Sequence, residues 1–575
     1  MKMPHVIDSW MNASLRKTRF LPLAALLSVV LVAVFLGACD SGDGPAAEAP
    51  PKPALLVVVS FDQMRNDYLD RWSTFWTDRG FGRLLRDGRR YTESAYKHAT
   101  TETGPGHAII GTGSYPRRHG IVQNNFFDKR HHRSFYAVED ASSPVFGIET
   151  YEPGRAALKG RSPRNLQMPT LGDWIKRRLT GSKSVSISSK DRAAICMGGH
   201  LADAVVWLNE DGPGFTTSTY YDSLAPVWLK SLDVPAWMAG YSGRTWNGFL
   251  PEASYLTADS MPGEGMFAGG SSAFPHVLPQ FDPSAPKDFV RAVNVTPFAA
   301  ELTFEAAKTA VREFQLGTDT IPDILTFSIS STDYAGHLFG PDSRELLDVY
   351  LKCDTLLGDY IDFLDQTVGK NAWVMAVSSD HGVGMIPETA AAEGKRAGRV
   401  EELDLAERID TYLTETFPTR ESVAWLDAAE FPNVFVNQAS IDSARVSRER
   451  VVDSLAAFLM RQEDVALAFS GKKLINGTLD IQSDIVDLAA MSAYPDRTGD
   501  VMVFLPPNYL YGSTPASHGT PYEYDRRVPL LFYGWRVASG NSSDAASPAD
   551  IAPTLASYIG LELPNVDGQV LVTDK

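Results

Sequence analysis

The sequence predicts an α/β fold: a doubly wound, mostly parallel central sheet with helices on both faces and with inserted cap segments. Three apolar runs rich in β-branched residues, at 54–61, 324–330 and 372–379, have the pattern of strands that are buried on both faces, as in parallel sheets. Each run leads into a polar stretch that contains an aspartate. Because open α/β sheets bind their ligands at the carboxyl ends of the strands, these stretches are candidate site segments.

The length and composition indicate one large unit behind an N-terminal leader. The chain has 575 residues, of which 44% are apolar and 21% charged, enough for a large buried core. We expect a signal segment at 1–39, a flexible tether at 40–53, and one domain over 54–575 with insertions at about 203–300 and 390–500. The net charge is −17, from 53 Lys and Arg against 70 Asp and Glu, and no basic run is present. Nucleic-acid binding is therefore not expected, and a site for anions would need local positive charge from metal ions or from a few Lys and Arg.

The N-terminus predicts export. Arg16, Lys17 and Arg19 precede an apolar run at 20–35, and the sequence Leu-Gly-Ala-Cys follows and ends at Cys39. This is the pattern of a bacterial secretory signal with a lipobox, and cleavage before Cys39 would leave a lipidated N-terminal cysteine. We expect the protein on the periplasmic or cell-surface side of a bacterial membrane, attached through this lipid only. The alternative is a single membrane-spanning anchor, which also places the domain outside the cytoplasm.

The other two cysteines define no site. Cys196 and Cys353 are compatible with a disulfide in an oxidising compartment, and the sequence does not decide whether they pair. Neither belongs to a Cys-x-x-Cys pair, which argues against a thiolate metal site.

The stretch 100–107 predicts a hydroxyl nucleophile at the start of a helix. Gly104 and Gly106 allow the backbone to turn tightly and to approach a ligand closely, and Pro105 suits the first helical position. Thr103 then lies at or near the N-cap, where free N–H groups and the helix dipole favour an anion. A hydroxyl there could attack a phosphate-like group bound beside it. The alternative is an ordinary capped helix after a loop.

Three further polar side chains could bind such an anion. Asn124 is a neutral donor, with a turn residue as the alternative. Lys190 and Arg192 follow a strand pattern at 184–188, and both side chains point to one side if the chain is still extended there. Two adjacent cations repel each other unless an anion lies between them. The alternative is a solvated loop.

Acidic and imidazole side chains recur at separate strand ends and loops: Asp62, Asp333, His337, Asp380, His381 and His518. Asp333 and His337 are four residues apart and can face the same way on a helical turn. Six other histidines have no apparent ligand partners and are expected to be structural: His98, His107, His119, His131, His132 and His200. Mixed Asp and His ligation suits zinc, with manganese as the next candidate. Six ligands divide into two ions with three each, and two ions can stabilise the entering and leaving oxygens of an in-line displacement.

In order and spacing, these motifs resemble the alkaline phosphatase superfamily. The chain looks more closely like its type I phosphodiesterase/nucleotide pyrophosphatase branch, and within that branch like the threonine-nucleophile (PafA-like) alkaline phosphatases. The resemblance extends from Ala54 to the C-terminus. The motifs on which it rests are 61–65, 103–107, 119–124, 190–192, 333–337, 379–382 and 517–520.

The resemblance implies a dizinc alkaline phosphatase that hydrolyses phosphate monoesters through a phosphothreonine intermediate. One zinc ion would be bound by Asp333, His337 and His518. The other zinc ion would be bound by Asp62, Asp380, His381 and the oxygen of Thr103. The non-bridging phosphoryl oxygens would contact Asn124, Lys190 and Arg192. The expected partners are small phosphate esters, and the expected oligomeric state is a monomer.

Three alternatives remain at this point. A phosphodiesterase or nucleotide pyrophosphatase would use the same metals and nucleophile. Diesterases of the branch lack the Lys/Arg pair, and a monoester has one more ionisable oxygen than a diester, so Lys190 and Arg192 favour monoesters. A sulfatase would need a Cys/Ser-x-Pro-x-Arg motif, and no cysteine here has that context. A lipid-anchored protein that binds phosphate or metal without turnover is disfavoured by the intact Thr103 and the six ligands.

Overall fold

The strands form where the apolar runs predict them and at several shorter segments. The structure is a computed structural model that describes residues 52–146, 160–209, 214–421 and 423–574. Its strands are β1 (Leu55–Phe61), β2 (Arg89–Tyr91), β3 (Asn125–Asp128), β4 (Arg133–Tyr136), β5 (Ser184–Ser188), β6 (Ala204–Asn209), β7 (Gly214–Thr216), β8 (Thr245–Trp246), β9 (His276–Val277), β10 (Asp323–Ile329), β11 (Trp373–Ser378), β12 (Gly398–Val400), β13 (Leu426–Glu430), β14 (Asn433–Val436), β15 (Leu467–Ser470), β16 (Val501–Phe504), β17 (Tyr509–Tyr511), β18 (Leu531–Gly534) and β19 (Gly540–Ser542).

The α-helices of the described residues are α1 (Tyr68–Arg71), α2 (Phe81–Asp87), α3 (Thr103–Thr112), α4 (Pro116–His119), α5 (Leu171–Arg178), α6 (Asp191–Gly198), α7 (Val234–Tyr241), α8 (Lys287–Asn294), α9 (Ala299–Glu313), α10 (Ser331–Phe339), α11 (Arg344–Leu364), α12 (Pro387–Ala392), α13 (Glu402–Thr416), α14 (Gln438–Ala444), α15 (Arg448–Leu459), α16 (Gly471–Ile475), α17 (Asp484–Ser492), α18 (Glu523–Arg526) and α19 (Ile551–Tyr558). Short 3₁₀ turns occur at Val227–Leu232, Glu252–Ser254, Phe267–Gly269 and Pro548–Asp550, and a π turn extends α11 over Asp365–Gly369.

The central sheet has the strand order β19-β2-β18-β11-β1-β10-β5-β6-β7. The contiguous strands β11, β1, β10, β5 and β6 are all parallel, whereas β18 and β7 run antiparallel to their neighbours β11 and β6. The predicted mostly parallel sheet is therefore confirmed. The direction of β18 is a feature that its apolar pattern does not reveal.

Helices cover both faces of this sheet, because alternate residues of β1 belong to different cores. Leu55, Val57 and Val59 pack in a cluster with side chains of α9 and α11. Leu56 and Val58 pack on the other side in a cluster with side chains of α3, α5 and α19. This alternation is the period of two expected for a strand, and it produces the predicted doubly wound arrangement.

Two segments of the chain depart from the expected division into one central sheet and two insertions. Strands β6 and β7 fall within the insertion expected at about 203–300, yet they extend the central sheet. Within the insertion expected at about 390–500, strands β13, β14, β16 and β15 form a second, antiparallel sheet. That sheet shares an apolar core with α13 and α15.

The predicted signal segment at 1–39, with Cys39, and nearly all of the tether lie outside the described residues. In the part of the chain that the structure does describe, no helix combines the length and apolarity needed to cross a bilayer. Cys196 and Cys353 are both buried free thiols, so they do not form the disulfide that the sequence left open.

Candidate active site

Four neighbouring strands end at the same edge of the central sheet. In the order β11-β1-β10-β5, Ser60 lies opposite Ser378 and Ser328, and Ser328 lies opposite Ser188. The segments that follow these strands therefore emerge at one level, as expected for a ligand site in an open α/β sheet. Those segments contain Asp62 after β1, Asp333 after β10, Asp380 and His381 after β11, and Lys190 after β5.

The first cluster, named here the Asp333 group, consists of Asp333, His337 and His518. One ligand atom from each residue lies within 4.8 Å of the others. Asp333 and His337 are one turn apart on α10, with 3.3 Å between Asp333 Oδ1 and His337 Nε2. His518 comes from the loop before α18, and its Nε2 lies 3.8 Å from the same Oδ1. The predicted spacing on a helical turn is what brings the first two together.

The second cluster, named here the Asp62 group, consists of Asp62, Asp380 and His381, again with ligand atoms within 4.8 Å of one another. His381 Nε2 lies 3.2 Å from Asp380 Oδ2 and 3.6 Å from Asp62 Oδ1. The ring centroids of His381 and His518 are 3.5 Å apart. The two groups therefore adjoin each other, and all six predicted ligands meet at one site.

Backbone carbonyls fix the three imidazoles of these groups. The Nδ1 atom of His337 lies 2.7 Å from the carbonyl oxygen of Ala516, and that of His518 lies 2.8 Å from the carbonyl oxygen of Thr101. The Nδ1 atom of His381 lies 2.9 Å from the carbonyl oxygen of Gly382. Because a carbonyl only accepts, each Nδ1 carries the proton, and each Nε2 is free to bind a metal ion.

The electrostatics of the site fit bound cations. Asp62 and Asp380 are fully buried, and within the described residues Asp62 Oδ1, Asp380 Oδ2 and His381 Nε2 have no hydrogen-bond partner. Burial, followed by repulsion from Asp333 and Asp380, holds the pKa of Asp62 well above its usual range. Burial also lowers the pKa of His518 and that of His381, so both imidazoles stay in the neutral form that binds metals. A bound metal ion would compensate both the negative charge and the missing hydrogen bonds of these buried carboxylates.

Lys190 lies between the two groups. Its Nζ is 2.8 Å from Asp62 Oδ2 and 2.5 Å from Asp333 Oδ2, and the side chain is 2% exposed. Burial opposes the charge on this amine, but Asp333 and Asp62 outweigh it, so the pKa of Lys190 is raised. Lys190 is therefore a cation between the two groups, paired with Asp62 and Asp333. Its contact with phosphoryl oxygens, which the resemblance implied, stays a prediction.

Thr103 is the first residue of α3, and Glu102 is the N-cap. The helix thus begins two residues earlier than Pro105 suggests; Pro105 occupies the first turn, where a missing N–H leaves no hydrogen bond unmade. Asn124 Oδ1 accepts the Gly104 N–H at 2.8 Å, so its amide nitrogen is free to donate to a ligand. Glu102 Oε2 accepts the Asn124 N–H at 2.7 Å and fixes that residue beside the helix end.

Arg192 reaches the nucleophile candidate from α6. Its Nη2 donates to Thr103 Oγ1 at 3.3 Å, and its Nη1 donates to the hydroxyl of Tyr136 at 3.4 Å. The Tyr136 hydroxyl in turn donates to Asp191, whose other oxygen accepts from Arg161. Tyr136 and Arg161 were missed by the sequence analysis because they come from β4 and from a loop that carry no motif. Asp191 lies within the motif 190–192, but its supporting contacts depend on these two distant residues.

His107, predicted to be structural, also contacts the site. Its Nδ1 lies 2.8 Å from the Thr103 carbonyl oxygen and 3.2 Å from Asp380 Oδ2, and its Nε2 lies 2.8 Å from Ser328 Oγ. The ring is completely buried and belongs to neither group. His107 thus links the first turn of α3 to Asp380 of the Asp62 group. Its position four residues after Thr103, within the motif 103–107, is a sequence signal that could have suggested this positional role.

Comparison with known proteins gives the family. The sequence model for "Type I phosphodiesterase / nucleotide pyrophosphatase" matches residues 56–518, which include every residue of both groups. The chain belongs to the type I phosphodiesterase/nucleotide pyrophosphatase family. The resemblance drawn from the sequence is thereby confirmed.

Within the type I phosphodiesterase/nucleotide pyrophosphatase family, the chain is similar along its length to proteins named alkaline phosphatases. It is 31% identical to alkaline phosphatase PhoV of Synechococcus elongatus over 561 residues, which cover 96% of this chain and 99% of that one. It is 30% identical to alkaline phosphatase PafA of Elizabethkingia meningoseptica over 551 residues, with 95% and 97% covered. The crystal structure of wild-type PafA matches with a TM-score of 0.83 and 29% identity, covering 91% of this chain and 99% of PafA.

Proposed function

We propose that this chain is a dizinc alkaline phosphatase that hydrolyses phosphate monoesters through a covalent phosphothreonine at Thr103. The principal support is the position of the Thr103 hydroxyl at a helix N-terminus, 3.3 Å from Arg192 Nη2. His107 in turn links the backbone carbonyl of Thr103 to Asp380 of the Asp62 group. The names of PhoV and PafA agree with this activity. Phosphoryl transfer requires positioning and charge stabilisation, and these residues supply both.

We propose that each group binds one zinc ion: the Asp333 group binds one, and the Asp62 group with the Thr103 oxygen binds the other. Mixed carboxylate and imidazole ligation suits zinc, with manganese as the next candidate. The orphaned buried atoms of Asp62, Asp380 and His381 support an ion in the second group. Bound zinc would act as a Lewis acid, favouring the Thr103 alkoxide and stabilising charge on the phosphoryl and ester oxygens.

The residues of the chain act in two displacements. In the first, Thr103 Oγ1 bonds to phosphorus while the bond from phosphorus to the ester oxygen breaks, and the alcohol leaves. In the second, water attacks the phosphothreonine, which releases inorganic phosphate and restores the Thr103 hydroxyl. Asn124, Lys190 and Arg192 hold the non-bridging oxygens in both steps.

Phosphodiester hydrolysis is the second candidate function, because the matching family is named for phosphodiesterases and nucleotide pyrophosphatases. The choice depends on the charge of the bound group. A monoester dianion offers a further oxygen to Lys190, which is buried, and to Arg192, which is half-buried. In a diester that oxygen is substituted, so one of the two cations would lose its partner.

Zinc content and matched rates test the proposal. The purified protein should contain about two zinc ions per chain, and at alkaline pH it should hydrolyse p-nitrophenyl phosphate faster than bis-p-nitrophenyl phosphate. Removal of zinc should abolish activity, and added zinc should restore it. A faster rate on the diester would favour the second candidate. Zinc binding without hydrolysis of either ester would indicate a binding protein and refute both.

We further propose that the protein is a monomer, held on the outer side of a bacterial membrane by a lipid on Cys39, and that it acts on small phosphate esters. The lipobox sequence supports this location. A Cys39→Ser variant should appear in the soluble fraction, whereas the wild type should stay with the membrane. Equal membrane association of both proteins would favour a spanning anchor.

A further inference from the structure

Gln63 has an unusual backbone next to the first metal ligand. The residue is 1% exposed, and its φ of +69° lies in the left-handed region, which is unfavourable for residues that have a Cβ. The Asp62 N–H donates to the Ile329 carbonyl at 3.0 Å, and the Met64 N–H donates to Ser379 Oγ at 2.8 Å. The backbone is therefore fixed on both sides of Gln63, and this conformation is imposed by the strand ends.

This conformation directs two donors of Gln63 at two different carboxylates. The side-chain Nε2 donates to Asp333 Oδ1 at 2.9 Å, and the backbone N–H donates to Asp380 Oδ1 at 3.1 Å. Asp333 belongs to the Asp333 group and Asp380 to the Asp62 group. Since a carboxylate only accepts, the orientation of the amide is determined: Nε2 faces Asp333.

Gly336 provides the room for this amide. A Cβ at position 336 would lie 1.8 Å from Gln63 Oε1, a distance that no packing can accommodate. Gly336 is on α10 between Asp333 and His337, so the helix that supplies two ligands also receives the Gln63 side chain. The close fit shows that the amide and the helix are placed against each other.

We propose that Gln63 is a positioning residue for both metal groups, orienting Asp333 through its side chain and Asp380 through its backbone. The inference rests on the proposed zinc function. Residues that hydrogen-bond a metal ligand typically change metal affinity by about 10–100-fold when they are replaced. Because only one of the two contacts uses the side chain, substitution of Gln63 should weaken the Asp333 group and spare the Asp62 group.

Zinc binding by Gln63→Met tests this. Methionine keeps the unbranched shape and similar volume but has no N–H donor. Bound zinc is measured against buffered free zinc by equilibrium dialysis and elemental analysis. We expect one of the two sites to weaken by about 10–100-fold, the other to keep its affinity, and the melting temperature of the metal-free protein to match the wild type. Equal affinities to the wild type at both sites, or equal losses at both, would overturn the inference.

Gln315→Met is the matched control. Gln315 also has a positive φ, of +50°, but its side chain is exposed, so the same substitution should leave both zinc affinities unchanged.

Gly336→Ala is a second variant, which should displace the Gln63 amide and weaken the same site. In the double variant with Gln63→Met the two losses should not add, because both remove one contact. Additive losses would contradict the shared contact.

The outcomes separate this inference from the proposed function. A wild-type protein that binds no zinc would refute the dizinc proposal itself. A wild-type protein that binds two zinc ions, together with a Gln63→Met variant that binds them equally well, would refute only the role of Gln63.

Discussion

Arg192 Nη2 lies 3.3 Å from Thr103 Oγ1, although the two residues are 89 positions apart in the sequence. The guanidinium is also held by the Tyr136 hydroxyl, which restricts its movement. A fixed cation at this distance stabilises negative charge on the threonine oxygen and on a phosphoryl oxygen bound beside it. We therefore test this contact first, by substitutions of Thr103 and of Arg192.

Thr103→Ala removes the proposed nucleophile. We expect the turnover number to fall by on the order of 10³-fold or more, because no other hydroxyl replaces the one at the start of α3. The phosphothreonine seen by mass spectrometry after acid quenching should disappear. Zinc content and melting temperature should stay near the wild-type values, since Asp62, Asp380 and His381 remain to hold the ion beside Thr103.

Thr103→Ser is the matched control for this substitution. Serine keeps a hydroxyl at the same helix position and should retain most of the activity and form a phosphoserine. Activity of Thr103→Ala comparable to that of Thr103→Ser would show that the nucleophile is another group.

Replacing Lys190 and Arg192 together by alanine should reduce kcat/KM for monoesters more than for diesters. Each lost charged contact costs about 10²–10³-fold in transition-state stabilisation, and the second contact is made only by the extra monoester oxygen. Rates on p-nitrophenyl phosphate and its diester, with zinc content measured in parallel, check this. Lys308→Ala, at a lysine paired with the half-buried Glu305, should change neither rate. Proportional losses on both esters would remove the reason for preferring monoesters.

Asn124→Asp replaces the amide donor at a phosphoryl contact by a negative charge and keeps the hydrogen bond from Gly104. The carboxylate can still accept the Gly104 N–H, which Asn124 Oδ1 accepts at 2.8 Å, but its second oxygen repels a phosphate. We expect kcat/KM to fall by about 10²–10³-fold with little change in stability. The neighbouring exposed Asn125 offers the same substitution as a control, and Asn125→Asp should stay close to the wild type. An equal effect of both variants would point to net charge as the cause.

Glu345 makes folding stability depend on pH. It is buried beside His276, with 2.8 Å between Glu345 Oε1 and His276 Nε2. Burial raises the pKa of Glu345 from 4.5 to about 8. Its contribution to stability is therefore complete below about pH 4.5 and is lost as the pH rises through about 8, because the unfolded chain ionises first.

Glu345→Gln removes this ionisation and keeps a donor for His276. Between about pH 4.5 and about pH 8, the melting temperature of the variant should rise progressively relative to that of the wild type. Glu313→Gln, at an exposed glutamate, makes the same charge change and should leave the wild-type pH dependence intact. A constant difference between Glu345→Gln and the wild type would show that Glu345 does not titrate in this range.

The thiols of Cys196 and Cys353 should react only in the unfolded protein. Burial raises the pKa of both thiols, that of Cys196 to about 12, so almost no reactive thiolate is present. Iodoacetamide should label neither position in the native protein and both in guanidinium, without added reductant. Labelling that requires a reductant would reveal a disulfide.

The strands buried on both faces were predictable, whereas the direction of the peripheral ones was not. The apolar runs at 54–61, 324–330 and 372–379 match β1, β10 and β11 within one or two residues, because a strand covered on both faces must be apolar throughout. β18 has a similar pattern but runs antiparallel, and β6 and β7 join the sheet despite weak periodicity. Whether such a segment joins the sheet, and in which direction it runs, depends on the strands with which it pairs, and these lie far away in the sequence.

Residue type and position predicted which acids and imidazoles meet in the Asp333 and Asp62 groups, but not the residues that hold them in place. Asp333 and His337 share a helical turn, which spacing alone reveals. The carbonyl of Ala516, the amide of Gln63 and the ring of His107 contact residues of distant segments, and the sequence does not show which residues they contact. The sequence placed Thr103 at or near the N-cap but did not fix the exact helix start, because Pro105 is compatible with several positions in a first turn.

The pairing of β1 has a consequence for how the polypeptide folds. This seven-residue apolar strand comes first in the central sheet, yet its two neighbours, β10 and β11, are synthesised much later. Such long-range pairing makes folding slow, because large loops must close before any ladder forms. Until residue 329 has emerged, β1 is an unpaired aggregation-prone segment, so efficient production should depend on a chaperone that shields the nascent chain.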